Sequence, residues 1–167
     1  MTRGSVVARR FGSIQSPYSM VGATTTQLFA AAAPHLRILD LCGNNLRGAG
    51  VARLCAAPWA GSLAYLDLSQ NHLTDEALRT LARCGLFKKL HTLHLNGNGV
   101  HRQQAGQGDA SITDGGLRAL AECPDLANLR VLSISGARIT AAGLEAVLYS
   151  PHWKLSGLSV AHCGLRR

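Results

Sequence analysis

LAYLDLSQNHL, residues 63–73, is the stretch that decides the fold. Leu63, Leu66, Leu68 and Leu73 are its apolar anchors, and Asn71 stands between the last two. Leu66 and Leu68 alternate with Tyr65, Asp67 and Ser69, the period of a short strand with one face turned inward. Asn71 falls where the chain must turn. Its amide offers both donors and an acceptor to backbone groups that a tight turn leaves without partners.

The frame LxxLxLxxNxL recurs. LRILDLCGNNL begins at Leu36, LHTLHLNGNGV at Leu90, LRVLSISGARI at Leu129 and LSGLSVAHCGL at Leu155. With Leu63 included, successive starts lie 27, 27, 39 and 26 residues apart. Ala137 and Cys163 replace the Asn in the last two copies. Val100 and Ile112 both fit the closing apolar position, and Ile139 lies 27 residues after Ile112. The long interval therefore holds an insertion at about residues 101–111, expected to loop out on the edge that follows the strands. Between strands, Leu78 with Leu81, Leu117 with Leu120 and Leu144 with Val147 give returning helices their apolar face. Thr74, Thr113 and Thr140 occupy equivalent positions and suit N-caps, and Pro58, Pro124 and Pro151 fall where helices should end.

Five in-phase copies of this kind resemble the leucine-rich repeat family, over nearly all of residues 20–167. SITDGGLRALAECPDLANLRVLSISG, residues 111–136, is similar to the cysteine-containing subtype, and the near-27 spacing to ribonuclease-inhibitor-like members. The resemblance implies an α/β fold: a right-handed solenoid with a short parallel sheet of about five strands on its concave face and helices on its convex face. Residues 20–35 match the helical half of a unit and read as a capping half-repeat. Its strand half, within residues 1–19, is degenerate, and that segment reads as a basic N-terminal arm.

Composition narrows the function classes. A hydrophobic fraction of 47% against 16% charged residues marks a globular chain rather than a disordered one. No apolar run approaches the roughly 18 residues needed to span a bilayer. The formal net charge of +8 favours an anionic neighbour such as RNA, an acidic protein or a membrane surface, or else a solvated basic exterior. The first acidic residue is Asp40, preceded by Arg3, Arg9, Arg10 and Arg37, so the N-terminus looks like a mitochondrial transit segment. Mitochondrial residence is thus one expectation and a cytoplasmic location the other; secretion is not expected.

The five cysteines are odd in number and contain no CxxC pair, so no disulfides are expected. Cys84 and Cys123 share a repeat position and read as small buried hydrophobes, whereas Cys42 faces outward and reads as the reactive thiol. His91 and His94 lie three apart on a strand, which points them to opposite faces and argues against a metal site. There is no phosphate-binding glycine-rich loop and no nucleophile–base pairing, so neither an enzyme nor a cofactor is expected.

The outward strand positions carry the partner information. The candidate concave protein-binding residues are Ile38, Asp40, Tyr65, Asp67, Thr92, His94, Val131 and Ser133, with Tyr65 as anchor. A C-terminal docking edge is expected from Leu155, Leu158, Val160, Leu165, Arg166 and Arg167, because the last frame lacks the helix that would cover it. Candidate contacts to RNA phosphates or other anions are Arg3, Arg9, Arg10, Arg79, Arg83, Lys88 and Lys89. Aromatic interleaving for base stacking is missing, so such contacts would be non-specific. Asn44, Asn71 and Asn98 are expected to stack as a structural ladder. These features together predict a non-catalytic scaffold subunit, in a mitochondrial ribosome or another mitochondrial complex such as ATP synthase. The alternative is a free adaptor that recognises a client protein through the concave face.

Overall fold

Each frame yields three strand residues with one leucine between two outward side chains. In the structure, a computed structural model, these become β1 (Ser13–Gln15), β2 (Ile38–Asp40), β3 (Tyr65–Asp67), β4 (Thr92–His94), β5 (Val131–Ser133) and β6 (Gly157–Ser159). All pair in parallel in chain order, and the register places Leu39, Leu66, Leu93, Leu132 and Leu158 in one row. The structure describes residues 13–15, 36–99 and 111–163. Arg3, Arg9, Arg10, the cap at 20–35, residues 101–110 of the insertion, and Leu165, Arg166 and Arg167 lie outside the described residues.

The sheet has one strand more than the five frames supply. Ser13–Gln15 pairs with Ile38–Asp40, Ile14 standing opposite Leu39. It falls inside the segment assigned to the basic arm, where the leucine pattern is too degenerate to mark a strand.

The chain returns through α1 (Arg47–Cys55), α2 (Asp75–Arg83), α3 (Asp114–Ala121) and α4 (Ala141–Leu148). Their inward faces carry Val51 and Leu54, Leu78 and Leu81, Leu117 and Leu120, and Val147, all buried against the leucine row. Each such side chain contributes about 1.5–3 kcal/mol on leaving water. Thr113 and Thr140 accept the N-cap hydrogen bonds of Gly115 and Ala142 at 3.2 Å each. Thr74 has the extended backbone of a cap but accepts no such bond.

Tight turns follow every described frame. The residue before the ladder position has positive φ in all five: Gly43 72°, Gln70 56°, Gly97 65°, Gly136 76° and His162 54°. Three copies place glycine there, which has no Cβ to clash. The ladder residue then satisfies the turn. Asn71 Oδ1 accepts the N–H groups of Asn44 (2.9 Å) and Leu46 (3.2 Å), while its Nδ2 donates to Leu41 O (2.8 Å) and Ser69 O (2.9 Å). Asn98 repeats this one unit on, accepting from Asn71 N and Leu73 N and donating to Leu68 O and Leu95 O. Where Cys163 replaces Asn, its thiol lies 3.0 Å from Ile134 O and 3.3 Å from Ala161 O, the equivalent carbonyls.

A second lateral link joins the helix N-termini. Asp75 accepts from Thr113 N (2.7 Å) and Thr113 Oγ1 (2.6 Å), and Asp114 accepts from Thr140 N (2.8 Å) and from its hydroxyl. The first of these spans the insertion. Ser111, assigned by sequence to the insertion, is buried and belongs to the packed array.

Candidate protein-interaction surface

The parallel register builds the concave face in rows. Ile38, Tyr65, Thr92, Val131 and Gly157 form one, and Asp40, Asp67, His94, Ser133 and Ser159 the next. At the N-terminal half of the sheet this brings together Ile38, 40% exposed, Tyr65, His94 and two carboxylates. The rings of Tyr65 and His94 stack obliquely, their centroids 5.3 Å apart. Asp40 and Asp67 are each oriented by a hydrogen bond from two residues ahead, Cys42 N at 2.9 Å and Ser69 N at 2.8 Å. Both carboxylates thus point along one side of the sheet, on neighbouring strands about 4.8 Å apart.

This end of the face is electronegative. Burial raises the Tyr65 phenol above its ordinary range, and Asp67 and Asp40 add to the rise, so it remains a hydrogen-bond donor. Burial, then Asp67 and Asp40, likewise raises Cys42. The expectation that Cys42 is the reactive thiol is therefore corrected: outward placement exposes it to the carboxylate field, which suppresses the thiolate. Among the described cysteines, Cys84 has its pKa lowered, a feature that repeat position alone did not reveal.

Ser133 is also corrected. It is 7% exposed, and its hydroxyl donates to Asn96 Oδ1 at 2.8 Å, so it braces the sheet rather than facing a partner. Asn96 Oδ1 accepts from Ser135 N as well, and Ser69 Oγ accepts from Asn96 N. The seventh-position residues of the middle strands therefore serve lateral bonding. Thr92, Val131 and His94 remain half-exposed beside Tyr65.

The basic positions are dispersed. Arg79 pairs with Glu76 (3.1 Å) and Asp75 (3.9 Å), and Lys88 with Asp125 (3.6 Å). Arg83 and Lys89 are exposed and carry no ion pair among the described residues. Leu158 is half-exposed, whereas Leu39, Leu66, Leu93 and Leu132 are at most 1% exposed; Leu155 and Val160 beside it are partly buried against the core. Among the described residues, no group of three His, Cys, Asp or Glu side chains is placed to hold a metal, and no helix is long and apolar enough to cross a membrane. All five thiols are free.

A family model described as a leucine-rich repeat matches residues 32–55, 62–82 and 126–148. Each match spans a described β-strand together with a helical segment or much of one. Such repeats typically serve as non-catalytic modules of protein–protein interaction. With its parallel strands, convex helices and repeating turns, this chain is a leucine-rich repeat protein.

Proposed function

We propose that the protein is a non-catalytic scaffold subunit whose concave face, from β2 to β4, docks a basic segment of a partner protein. The observation that carries this reading is the pairing of Asp40 with Asp67 on a chain whose net charge is +8. Like charges opposite one another across strands are unfavourable. A Lys or Arg side chain between them would remove that repulsion, while Tyr65 and Ile38 supply an apolar anchor. Ordering a rigid aromatic costs little, so the patch needs few contacts to select an orientation.

The proposed setting is a multi-subunit mitochondrial assembly, ribosomal or respiratory. The acid-free, Arg-bearing segment before Asp40 supports the address, and the unpaired Arg83 and Lys89 leave two cations for phosphate contacts on the far side. The half-exposed Leu158 in the row of otherwise buried leucines supports a neighbouring subunit abutting β6. The free adaptor is the competing reading. Sedimentation of the tagged full chain from fractionated cells separates them: migration with a large mitochondrial particle is expected, and migration as a monomer in the cytosol would overturn the assembly reading.

A further inference from the structure

Three neighbouring repeats each place a sulfur on one turn of helix. Cys55 ends α1, Cys84 caps the C-terminus of α2, and Cys123 follows α3. Cys55 Sγ lies 3.9 Å from Thr80 O, Cys84 Sγ 3.2 Å from Leu81 O, and Cys123 Sγ 3.0 Å from Ala82 O. These are three successive carbonyls of the last turn of α2. Successive residues of a helix rise only about 1.5 Å, so the thiols converge with Cys84 in the middle.

Cys55 and Cys84 are in direct side-chain hydrogen-bonding contact, and both are half-buried, while Cys123 is buried. The contact treats the two sulfurs unequally. The Cys55 S–H stabilises an ionised Cys84, the N–H groups of Leu86 and Cys84 add to this, and burial and Asp125 oppose it. The net result brings the Cys84 pKa down to about 7. Cys55 is raised, first by holding its proton toward Cys84 and then by burial. Cys123 is raised, chiefly by burial. An attacking thiol works best when its pKa lies near ambient pH.

We propose that Cys84 and Cys55 form a thiol–disulfide exchange site, with Cys84 as the attacking thiol, Cys55 as the resolving thiol and a small-molecule disulfide such as oxidised glutathione as the reactant. The Cys84 thiolate attacks one sulfur of glutathione disulfide, whose S–S bond breaks as one glutathione leaves as its thiolate. Cys55 then gives its proton to that leaving thiolate and attacks Cys84 Sγ. The mixed disulfide breaks, the second glutathione departs and takes up a proton from water, and a Cys55–Cys84 bond remains. Two protein thiols are oxidised to one disulfide, and one glutathione disulfide is reduced to two thiols. The new bond ties the end of α1 to the end of α2.

The test exposes the full chain to oxidised glutathione near pH 7.5, alkylates the remaining thiols and maps the peptides by mass spectrometry. A cross-linked Cys55–Cys84 peptide is expected as the main product. Cys55→Ser should stop at glutathione on Cys84 and should slow alkylation of Cys84 at pH 7 roughly tenfold, because a thiol with the ordinary pKa is only a few per cent ionised there. Cys84→Ser should give neither product. First modification at Cys42 or Cys123, or a Cys84 adduct that persists beside a free Cys55 in the unaltered chain, would overturn the proposal. The map of the unaltered chain decides this even where a serine variant folds poorly.

Discussion

Asp75 Oδ1 accepts the backbone N–H of Thr113 at 2.7 Å, across 38 residues of chain that include the insertion. The same carboxylate takes the Thr113 hydroxyl at 2.6 Å, so α2 fixes the start of α3 whatever the intervening segment does. Asp75→Ala should destabilise the chain by about 2 kcal/mol, the worth of hydrogen bonds to a charged acceptor. Asp75→Asn, which keeps one acceptor, should cost less. Urea unfolding of the two variants checks the order; equal midpoints for Asp75→Ala and the unaltered chain would show that the link contributes nothing.

Because that link spans the insertion, removing residues 100–111 returns the 39-residue interval to 27 and leaves Asp75, Ile112 and Thr113 in place. The shortened chain should unfold in one cooperative transition with a melting temperature close to that of the full chain. Loop length alone changes stability only slowly. Loss of cooperative unfolding would place the insertion wrongly.

Asn71 makes four hydrogen bonds to backbone groups and is fully buried. Asn71→Leu preserves approximate size but leaves those groups unpaired, at about 1–3 kcal/mol for each that water cannot reach. Thermal unfolding should shift strongly downward. An unchanged midpoint would contradict the ladder.

Gly99 tests the turn from the steric side. A Cβ placed there would lie 1.8 Å from Gly136 O, a backbone atom of the next repeat. Gly99→Ala must therefore push two turns apart, costing about 3 kcal/mol at the upper end of overpacking effects. Gly48→Ala, where a Cβ meets nothing within 4 Å, is the matched control and should be neutral or slightly stabilising.

The thiols titrate with opposite signs. Alkylation of Cys84 should rise with pH through about 7 and level off above it, because the thiolate is the reactive form. Cys42, raised by burial and its two aspartates, should react only at higher pH. Site-resolved rates across this range check both, and a Cys42 rate exceeding that of Cys84 at pH 7 would refute the ordering.

Strand positions were legible because a buried leucine recurs at fixed spacing: Leu39, Leu66, Leu93 and Leu132 stand in one row. β1 was not, since three residues without leucine carry too little pattern. The outward rows followed from register, yet Ser133 escaped, because its burial depends on Asn96 of the preceding strand. The Cys55–Cys84 contact escaped for a related reason. Cys55 stands eight residues before its next frame and Cys84 six, so repeat alignment does not pair them. Only the packing of α1 against α2 does. The Asp75–Thr113 link joins different repeat positions and was invisible for the same cause.

The account rests centrally on the acidic concave face, rather than the basic far side, holding the partner. The direct measurement is quantitative co-purification of the tagged full chain beside two variants, Tyr65→Ala with Asp67→Lys, and Arg83→Glu with Lys89→Glu, each matched for melting temperature. The account predicts that the concave variant loses its protein partner and fails to enter the assembly, while the convex variant retains both. Retention by the concave variant with loss by the convex one would contradict it.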